Sequence, residues 1–216
     1  MIDHNKEFIF IHIPKTAGVS IEEQLGGYGD LDKLHGIRDN IALQHLTMQQ
    51  MISVVGSDIA KKYFTFTVVR NPYDRCVSEF FWFKRWETQL LHHDTFKDLL
   101  PHNYTEAGVT FYDWVNTLKY QIVNNSKLPL VLQGHNIPQV DFTHVKHKKC
   151  AIDFIARFEN INEDFYSICD GIGIGRQQLR HSNKRPRFDN IKQSHYSNYY
   201  NDETYNTVTS LYADDI

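Results

Sequence analysis

Two stretches of the chain carry residue types that can bind an anion, and the first covers residues 8–20. It reads FIFIHIPKTAGVS, an apolar strand-like run followed by Pro14 and a loop of small residues. A helix starting after this loop would present unpaired N–H groups and a partial positive charge, to which Lys15 adds a full charge. The hydroxyls of Thr16 and Ser20 can donate to phosphate oxygens. On its own, however, such a pattern is more often an ordinary turn between a strand and a helix.

The second stretch covers residues 63–83 and reads YFTFTVVRNPYDRCVSEFFWF. A predicted strand over 64–69 ends at Arg70, and a helix is predicted to follow at once because Asn71 is a good N-cap. Ser78 lies about two helical turns beyond Asn71, on the same face of that helix. Arg70 and Ser78 can therefore converge on one anion. Either residue alone would be interpreted more simply, as an ion-pairing arginine or a surface serine.

The loop after the first strand differs from the GxxxxGK[ST] loop that binds nucleoside triphosphates. Its lysine comes early, and no Lys-Ser or Lys-Thr pair follows to hold magnesium. The pattern therefore disfavours a kinase or NTPase. Two phosphate-type elements in one small chain nevertheless favour a phosphorylated ligand over a purely structural interpretation.

In combination, HIPKTAG with Ser20 and VRNPYDR with Ser78 resemble two motifs of the carbohydrate sulfotransferases. In that family they are the 5′-phosphosulfate loop and the 3′-phosphate motif, which bind 3′-phosphoadenosine 5′-phosphosulfate (PAPS). The branch of heparan sulfate 2-O-sulfotransferases and chondroitin sulfotransferases is the most similar. The resemblance runs from Phe8 to the C-terminus and includes four weaker segments: 44–47, 139–142, 152–159 and 181–184.

The resemblance implies a binding role for each residue that matches a motif. The residues of the first loop would cradle the 5′-phosphosulfate: Lys15, Thr16, Ala17, Gly18, Val19 and Ser20. Arg70 and Ser78 would hold the 3′-phosphate and so select PAPS over ordinary adenylates. Lys184 and Arg185 belong to a late basic loop that closes over the 3′-phosphate and the adenosine. This loop reads HSNKR where the usual form in the family is HLNKS.

The resemblance also implies a catalytic base between the two motifs, for which His45 is the candidate. Imidazole suits this role because its unperturbed pKa near 6.5 leaves it mostly neutral and able to accept a proton at pH 7. His35 is the alternative base, and helix capping or plain exposure would also explain a histidine at position 45. Lys15 would be the second catalytic residue, since it neutralises the charge that grows on the leaving phosphate.

No metal is expected at this site, because lysine and backbone N–H groups already oppose the charge. A possible metal motif occurs later in the chain, at His144, His147 and Cys150. Neighbouring lysines crowd these residues with positive charge, and a fourth ligand is not evident. The sequence therefore favours a protein without a metal.

Length and patterning predict one α/β domain over residues 1–216. The chain is long enough for a proper core, and its hydrophobic fraction of 41% is that of a globular protein. The fold that we expect is three-layered and P-loop-like, with a central, mainly parallel sheet and helices on both faces. Local signals predict helix caps at Thr47, at Asn160 with Glu163 in a capping box, and at Asp202.

Composition excludes some classes of partner. The net charge of −3 provides no overall basic field that would attract nucleic acid. Cys76, Cys150 and Cys169 are widely spaced, which argues against a disulfide framework and fits a reducing compartment. No signal peptide and no long apolar segment is evident, so a cytoplasmic location is expected.

These observations lead us to expect an enzyme that moves a sulfuryl group from PAPS to a hydroxyl acceptor by in-line transfer with a histidine base. The resemblance implies that the acceptor is a carbohydrate. Two other interpretations stay open. One is a P-loop-type nucleotide kinase or NTPase, and the other is a non-catalytic module that binds a nucleotide or a sulfated ligand.

Overall fold

The structure is a computed structural model that describes residues 1–38, 41–91, 108–123, 134–145, 149–180 and 194–216. These residues belong to two compact units, each built from two separate stretches of chain. The first unit comprises Met1–Arg70 and Gln133–Lys184, and the second comprises Asn71–Leu132 and Arg185–Ile216. The expectation of one domain over the whole chain stays a prediction.

The chain is a mixture of short strands and helices. The strands are β1 (Ile2–Asp3), β2 (Phe8–Ile11), β3 (Ile37–Arg38), β4 (Ile41–Ala42), β5 (Phe64–Val69), β6 (His144–Val145), β7 (Lys149–Cys150) and β8 (Phe154–Arg157). The helices are α1 (Gly18–Leu25), α2 (Met48–Val55), α3 (Ser57–Lys62), α4 (Pro72–Leu91), α5 (Phe111–Val123), α6 (Gln139–Thr143), α7 (Ile161–Ile172) and α8 (Asp202–Leu211). Short 3₁₀ turns occur at Leu43–His45, Phe158–Asn160, Tyr196–Tyr199 and Ala213–Asp215.

A four-stranded sheet in the order β1-β2-β5-β8 forms the centre of the first unit. The strands β2, β5 and β8 are parallel, whereas the edge strand β1 pairs with β2 in the antiparallel sense. The prediction of a central, mainly parallel sheet is therefore confirmed. The other described strands form two small antiparallel pairs, β3 with β4 and β6 with β7.

Side chains that alternate along the central strands divide the core of the first unit between the two faces of the sheet. Phe8, Phe10 and Phe66 lie in a cluster with apolar residues of α1 and α7. Ile9 and Ile11 lie in a second cluster with residues of α2, α3 and α6. Because successive side chains of a strand point to opposite faces, helices cover both faces of this sheet.

The second unit is built around its own aromatic core, in which residues of α4, α5 and α8 share one cluster. Phe83 of α4 packs against Trp114 of α5 at a ring-centroid distance of 4.7 Å. Tyr73 stacks on Tyr205 at 4.7 Å. Aromatic residues of α4, among them Tyr73, Phe80 and Phe83, therefore form a packing surface within this unit.

The observed helix caps test the three caps that were predicted from the sequence. Thr47 caps α2, as predicted, and it forms a capping box with Gln50. The predicted capping box at Asn160 is wrong, because that side chain makes no cap hydrogen bond. The cap of α8 is Asn201 and not Asp202, since the Asn201 side chain accepts a hydrogen bond of 2.8 Å from the N–H of Thr204. Neighbouring polar residues compete for a cap, and local backbone conformation decides between them.

The parallel arrangement places three chain segments at one edge of the sheet. The strand β2 leads into His12, β5 leads into Arg70 and β8 leads into Phe158. The carboxyl ends of parallel strands are where open α/β sheets place their ligands. In the described part of the chain, no helix combines the length and apolar character needed to cross a membrane.

Candidate functional site

The loop between β2 and α1 has an unusual backbone that prepares it to bind an anion. Lys15 and Ala17 adopt left-handed conformations, with φ of 69° and 73°. Such strained non-glycine residues cluster at binding sites. Ala17 is the N-cap of α1 and makes no side-chain cap hydrogen bond, and the first turn of the helix contains no acidic residue. The N-terminal end of α1, with its partial positive charge, therefore begins shortly after Lys15 in the chain.

The two hydroxyl residues of this loop are both buried. Thr16 is fully buried, and its Oγ1 donates a hydrogen bond of 2.8 Å to the carbonyl oxygen of Ile13. Because a hydroxyl has a single proton to donate, this bond closes the loop internally, and Thr16 would serve an anion through its backbone N–H. Ser20 lies in the first turn of α1 and is 5% exposed.

Gly18 is required by the close approach of the His12 ring. A Cβ atom at position 18 would overlap the Cδ2 and Nε2 atoms of His12. The His12 side chain is itself buried, immediately after β2. Contact between the imidazole and the glycine therefore fixes the start of α1 against the end of the strand.

A buried carboxylate lies behind this contact. Nδ1 of His12 is 3.0 Å from Oε2 of Glu22, and Nε2 of His35 is 3.4 Å from the same oxygen. Neither approach has the alignment of a hydrogen bond, and each becomes an ion pair only when its imidazole is protonated. Burial alone would raise the pKa of Glu22, but the charge of His12 and the contacts of His12 and His35 outweigh it and hold that pKa well below its usual range.

His35 has contacts at both ring nitrogens. The N–H of Gly29 donates a hydrogen bond of 2.9 Å to Nδ1 of His35. In neutral imidazole the proton must then reside on Nε2, which is the nitrogen that faces Glu22. This environment disfavours His35 as a general base.

His45 has the opposite tautomer. Its Nδ1 lies 3.1 Å from the carbonyl oxygen of His12, and a carbonyl only accepts, so Nδ1 carries the proton. The Nε2 lone pair of neutral His45 can then accept a proton. Burial lowers the pKa of His45 well below its ordinary value of 6.5, and the neighbouring His12 and His135 lower it further. The ring centroids of those two residues lie 4.6 and 5.1 Å from that of His45.

Arg70 joins the two sequence motifs directly. Its Nη1 donates a hydrogen bond of 3.0 Å to the carbonyl oxygen of Lys15. Its guanidinium carbon lies 4.0 Å from the centroid of the Phe158 ring, a cation–π contact. Arg70 is 7% exposed, so this geometry is enclosed by protein. The loop after β2 and the residue after β5 therefore meet at the same edge of the sheet.

Gln139 of α6 holds the backbone of Arg70 on both sides. The N–H of Arg70 donates a hydrogen bond of 2.9 Å to Oε1 of Gln139. In return, Nε2 of Gln139 donates a hydrogen bond of 2.8 Å to the carbonyl oxygen of Arg70. This buried pair fixes the peptide groups from which the Arg70 side chain extends.

The comparison with protein families agrees with this geometry. The model of the sulfotransferase family matches residues 1–216. This chain belongs to the sulfotransferase family. Searches of curated proteins and of solved structures found no match to the chain. Family membership indicates a transferase that delivers a sulfuryl group to a hydroxyl acceptor, and members generally use PAPS as the donor.

Within this sulfotransferase, the structure brings only part of the predicted site together. The residues of the first loop, His45 and Arg70 all belong to the first unit. Ser78 lies on α4 of the second unit and is 9% exposed, and its role stays a prediction. Lys184 and Arg185 lie outside the described residues, as does His147 of the possible metal motif. In the described ranges, no group of three or more His, Cys, Asp or Glu side chains has the geometry to hold a metal ion.

Sequence reasoning missed the residues that support the site from behind. Glu22 looks like any acidic residue of an amphipathic helix, and only its complete burial marks it as unusual. Gln139 begins a segment that resembles the family, but nothing in that segment indicates Arg70 as its partner. His135 lies in a turn without a recognisable motif, beside His45.

Replacement of Gly18 tests the packing of the loop. We expect Gly18→Ala to lower the free energy of unfolding by about 1–3 kcal/mol, because the added methyl group overlaps the His12 ring. Chemical denaturation measures this difference. The matched control is Gly175→Ala, since a Cβ at position 175 meets no atom within 4 Å. Equal stability of the two variants would contradict the assigned contact.

The titration of His45 tests its environment. We expect its imidazole to titrate below pH 6.5, because the neutral form is favoured in the folded protein. The stability that this shift contributes is complete above the unfolded pKa of 6.5 and falls as the pH drops below that value. Ring ¹⁵N shifts measured by NMR across the pH range report the midpoint, with His45→Gln used to assign the signal. A midpoint at or above 6.5 would refute the expectation.

Proposed function

We propose that this sulfotransferase moves the sulfuryl group of PAPS to a hydroxyl of a carbohydrate. The observation that best supports this proposal is the hydrogen bond from Arg70 Nη1 to the Lys15 carbonyl oxygen. It joins the loop that resembles a 5′-phosphosulfate site to the residue that resembles a 3′-phosphate ligand. One doubly phosphorylated nucleotide could therefore contact both residues. The choice of a saccharide acceptor rests on the sequence resemblance.

The residues of the first loop fit the donor that we propose. A phosphosulfate needs positive charge and N–H donors at close range, which Lys15 and the N-terminal end of α1 would supply. Gly18 cannot be larger, because the His12 ring occupies the space that a Cβ would need at the start of α1. When bound, PAPS supplies an activated sulfuryl group. The helices on both faces of the sheet further support the three-layer, P-loop-like fold expected from the resemblance.

Lys15 and Arg70, at the edge of the sheet, would each bind a different part of the donor. Lys15 would oppose the negative charge that develops on the phosphate side of the breaking bond. The backbone N–H groups of 16–20 would hold the same end of the ligand. Nη1 of Arg70 bonds to Lys15, and a guanidinium, with its planar set of N–H donors, is suited to a 3′-phosphate. From the sequence, we propose that Ser78, Lys184 and Arg185 also bind the donor.

His45 would act as the general base for the acceptor hydroxyl. The bond from Nδ1 to the His12 carbonyl leaves the Nε2 lone pair to take the proton. This bond also accommodates the imidazolium that forms, since both of its nitrogens then donate. The lowered pKa keeps the imidazole neutral and ready to accept a proton at pH 7. His35 is the weaker candidate, because Gly29 and Glu22 contact its two nitrogens.

Ligand discrimination tests the binding site. We expect 3′,5′-adenosine bisphosphate to bind at least about tenfold more tightly than 5′-AMP, a difference of about 1.4 kcal/mol. Arg70→Ala should remove most of that difference, because it deletes the proposed 3′-phosphate contact. Calorimetry measures both affinities. Arg176→Ala is the matched control, since Arg176 is an exposed arginine of the same unit that pairs with Asp170. Equal binding of both ligands by the wild-type protein would argue against PAPS.

Transfer activity tests the chemistry. With labelled PAPS and a panel of saccharide, lipid and tyrosine-peptide acceptors, we expect product from a saccharide. His45→Ala should lower turnover by about 10²–10⁴-fold while it still binds the bisphosphate, because only the proton acceptor is lost. His195→Ala, a change at an exposed histidine of the second unit, should retain activity. Full turnover by His45→Ala would assign the base elsewhere. Magnesium-dependent ATP hydrolysis without sulfuryl transfer would instead favour an NTPase.

A further inference from the structure

Arg70 lies just beyond the last residues of β5 that pair with neighbouring strands. The described pairing of β5 with β2 ends at Thr67, and its pairing with β8 ends at Val69. The N–H and C=O groups of Arg70 come next, in a buried position. Buried backbone groups of this kind are costly if they lack hydrogen bonds.

The side chain of Gln139 takes the place of the missing strand. Its amide presents one acceptor and one donor side by side, as a peptide group of a neighbouring strand would. The acceptor receives the Arg70 N–H at 2.9 Å, and the donor reaches the Arg70 carbonyl oxygen at 2.8 Å. Gln139 is 4% exposed, so these bonds are shielded from water. Among side chains that are ordinarily uncharged at neutral pH, only asparagine and glutamine offer this paired geometry.

The consequences of this pairing extend from Arg70 to the first loop. The Arg70 side chain reaches the carbonyl oxygen of Lys15 at 3.0 Å. Lys15 has a left-handed backbone that must be held by its surroundings. A chain of hydrogen bonds thus runs from Gln139 through Arg70 to Lys15, all within the first unit. Loss of its first member would loosen both Arg70 and the loop.

We propose that Gln139 is a positioning residue of the anion site, which acts through the backbone of Arg70 to hold the conformation of the Lys15 loop. Its consequence for ligand affinity rests on the proposed function, whereas its effect on the loop does not. Gln139 touches neither phosphate nor acceptor in this role. It couples the two anion-binding motifs, so that disturbance of one motif weakens the other.

Three variants test this role. Gln139→Leu removes both hydrogen bonds and keeps the approximate size of the side chain. Gln139→Glu keeps an acceptor, but its carboxylate cannot donate to the Arg70 carbonyl oxygen unless it is protonated. The matched control is Thr143→Val on the same helix, which removes a buried hydroxyl that bonds to Val140 and His144.

Hydrogen exchange of the free protein is the first measurement, and calorimetry with 3′,5′-adenosine bisphosphate is the second. We expect Gln139→Leu to raise amide exchange at Arg70 and over residues 13–20, and to weaken bisphosphate binding by about tenfold or more. Thr143→Val should change neither. Gln139→Glu should behave like Gln139→Leu at about pH 8 and recover towards the wild type at about pH 5, because burial favours the protonated acid.

The outcomes separate this inference from the proposed function. If the wild type does not bind the bisphosphate, the proposed function fails, and the exchange data still decide the role of Gln139. Unchanged exchange over 13–20 in folded Gln139→Leu would overturn the inference. If Gln139→Leu does not fold, Gln139→Glu decides: recovery on acidification supports the inference, and a defect that is independent of pH overturns it.

Discussion

The hydrogen bond between the Arg70 guanidinium and the Lys15 carbonyl oxygen is the contact on which the candidate site depends. It bridges the carboxyl ends of two adjacent parallel strands, which their register already places side by side. Each end of the bridge has its own support. Gln139 fixes the backbone of Arg70, Phe158 covers its guanidinium, and the buried hydroxyl of Thr16 closes the loop beyond Lys15. The Arg70 guanidinium and the backbone of the Lys15 loop are thereby held together, and each has further support from other residues.

Close to this bridge in the chain, one buried carboxylate is contacted by two histidines. Glu22 is fully buried in α1 and faces His12 and His35 through a single oxygen. This arrangement places negative charge one helical turn behind an anion site, where it would oppose binding if it were unpaired. The two imidazoles lie against this carboxylate, and their contacts hold its pKa well below the usual range despite its burial. His12 also contacts His45, whose proton is fixed on Nδ1 by the backbone carbonyl of His12. The same buried group of side chains therefore supports the start of α1, the contact of Gly18 with His12, and the candidate base His45.

Much of the fold could be predicted from the sequence, because its signals are local. The strand over 64–69, the cap at Thr47 and the mainly parallel sheet follow from side-chain period and cap chemistry. The predictions of caps at Asn160 and Asp202 were wrong because several polar residues compete for the cap position at each helix start. Of the candidate site, sequence reasoning proposed Lys15, His45 and Arg70, and their roles stay predictions. It could not assign Gln139 or Glu22, because their partners lie far away along the chain.

The sequence by itself determined the chemistry that is available: a cationic loop before a helix, an arginine after a strand, and a family that transfers sulfuryl groups. Only the tertiary structure decided which of these groups meet. The register of the sheet placed Arg70 beside Lys15, and the packing of α6 placed the Gln139 amide next to the Arg70 backbone. The tertiary structure also distinguished His45 from His35, because the tautomer of each ring depends on the group that faces it. Such contacts join residues tens of positions apart, and their geometry depends on the packing of the whole unit.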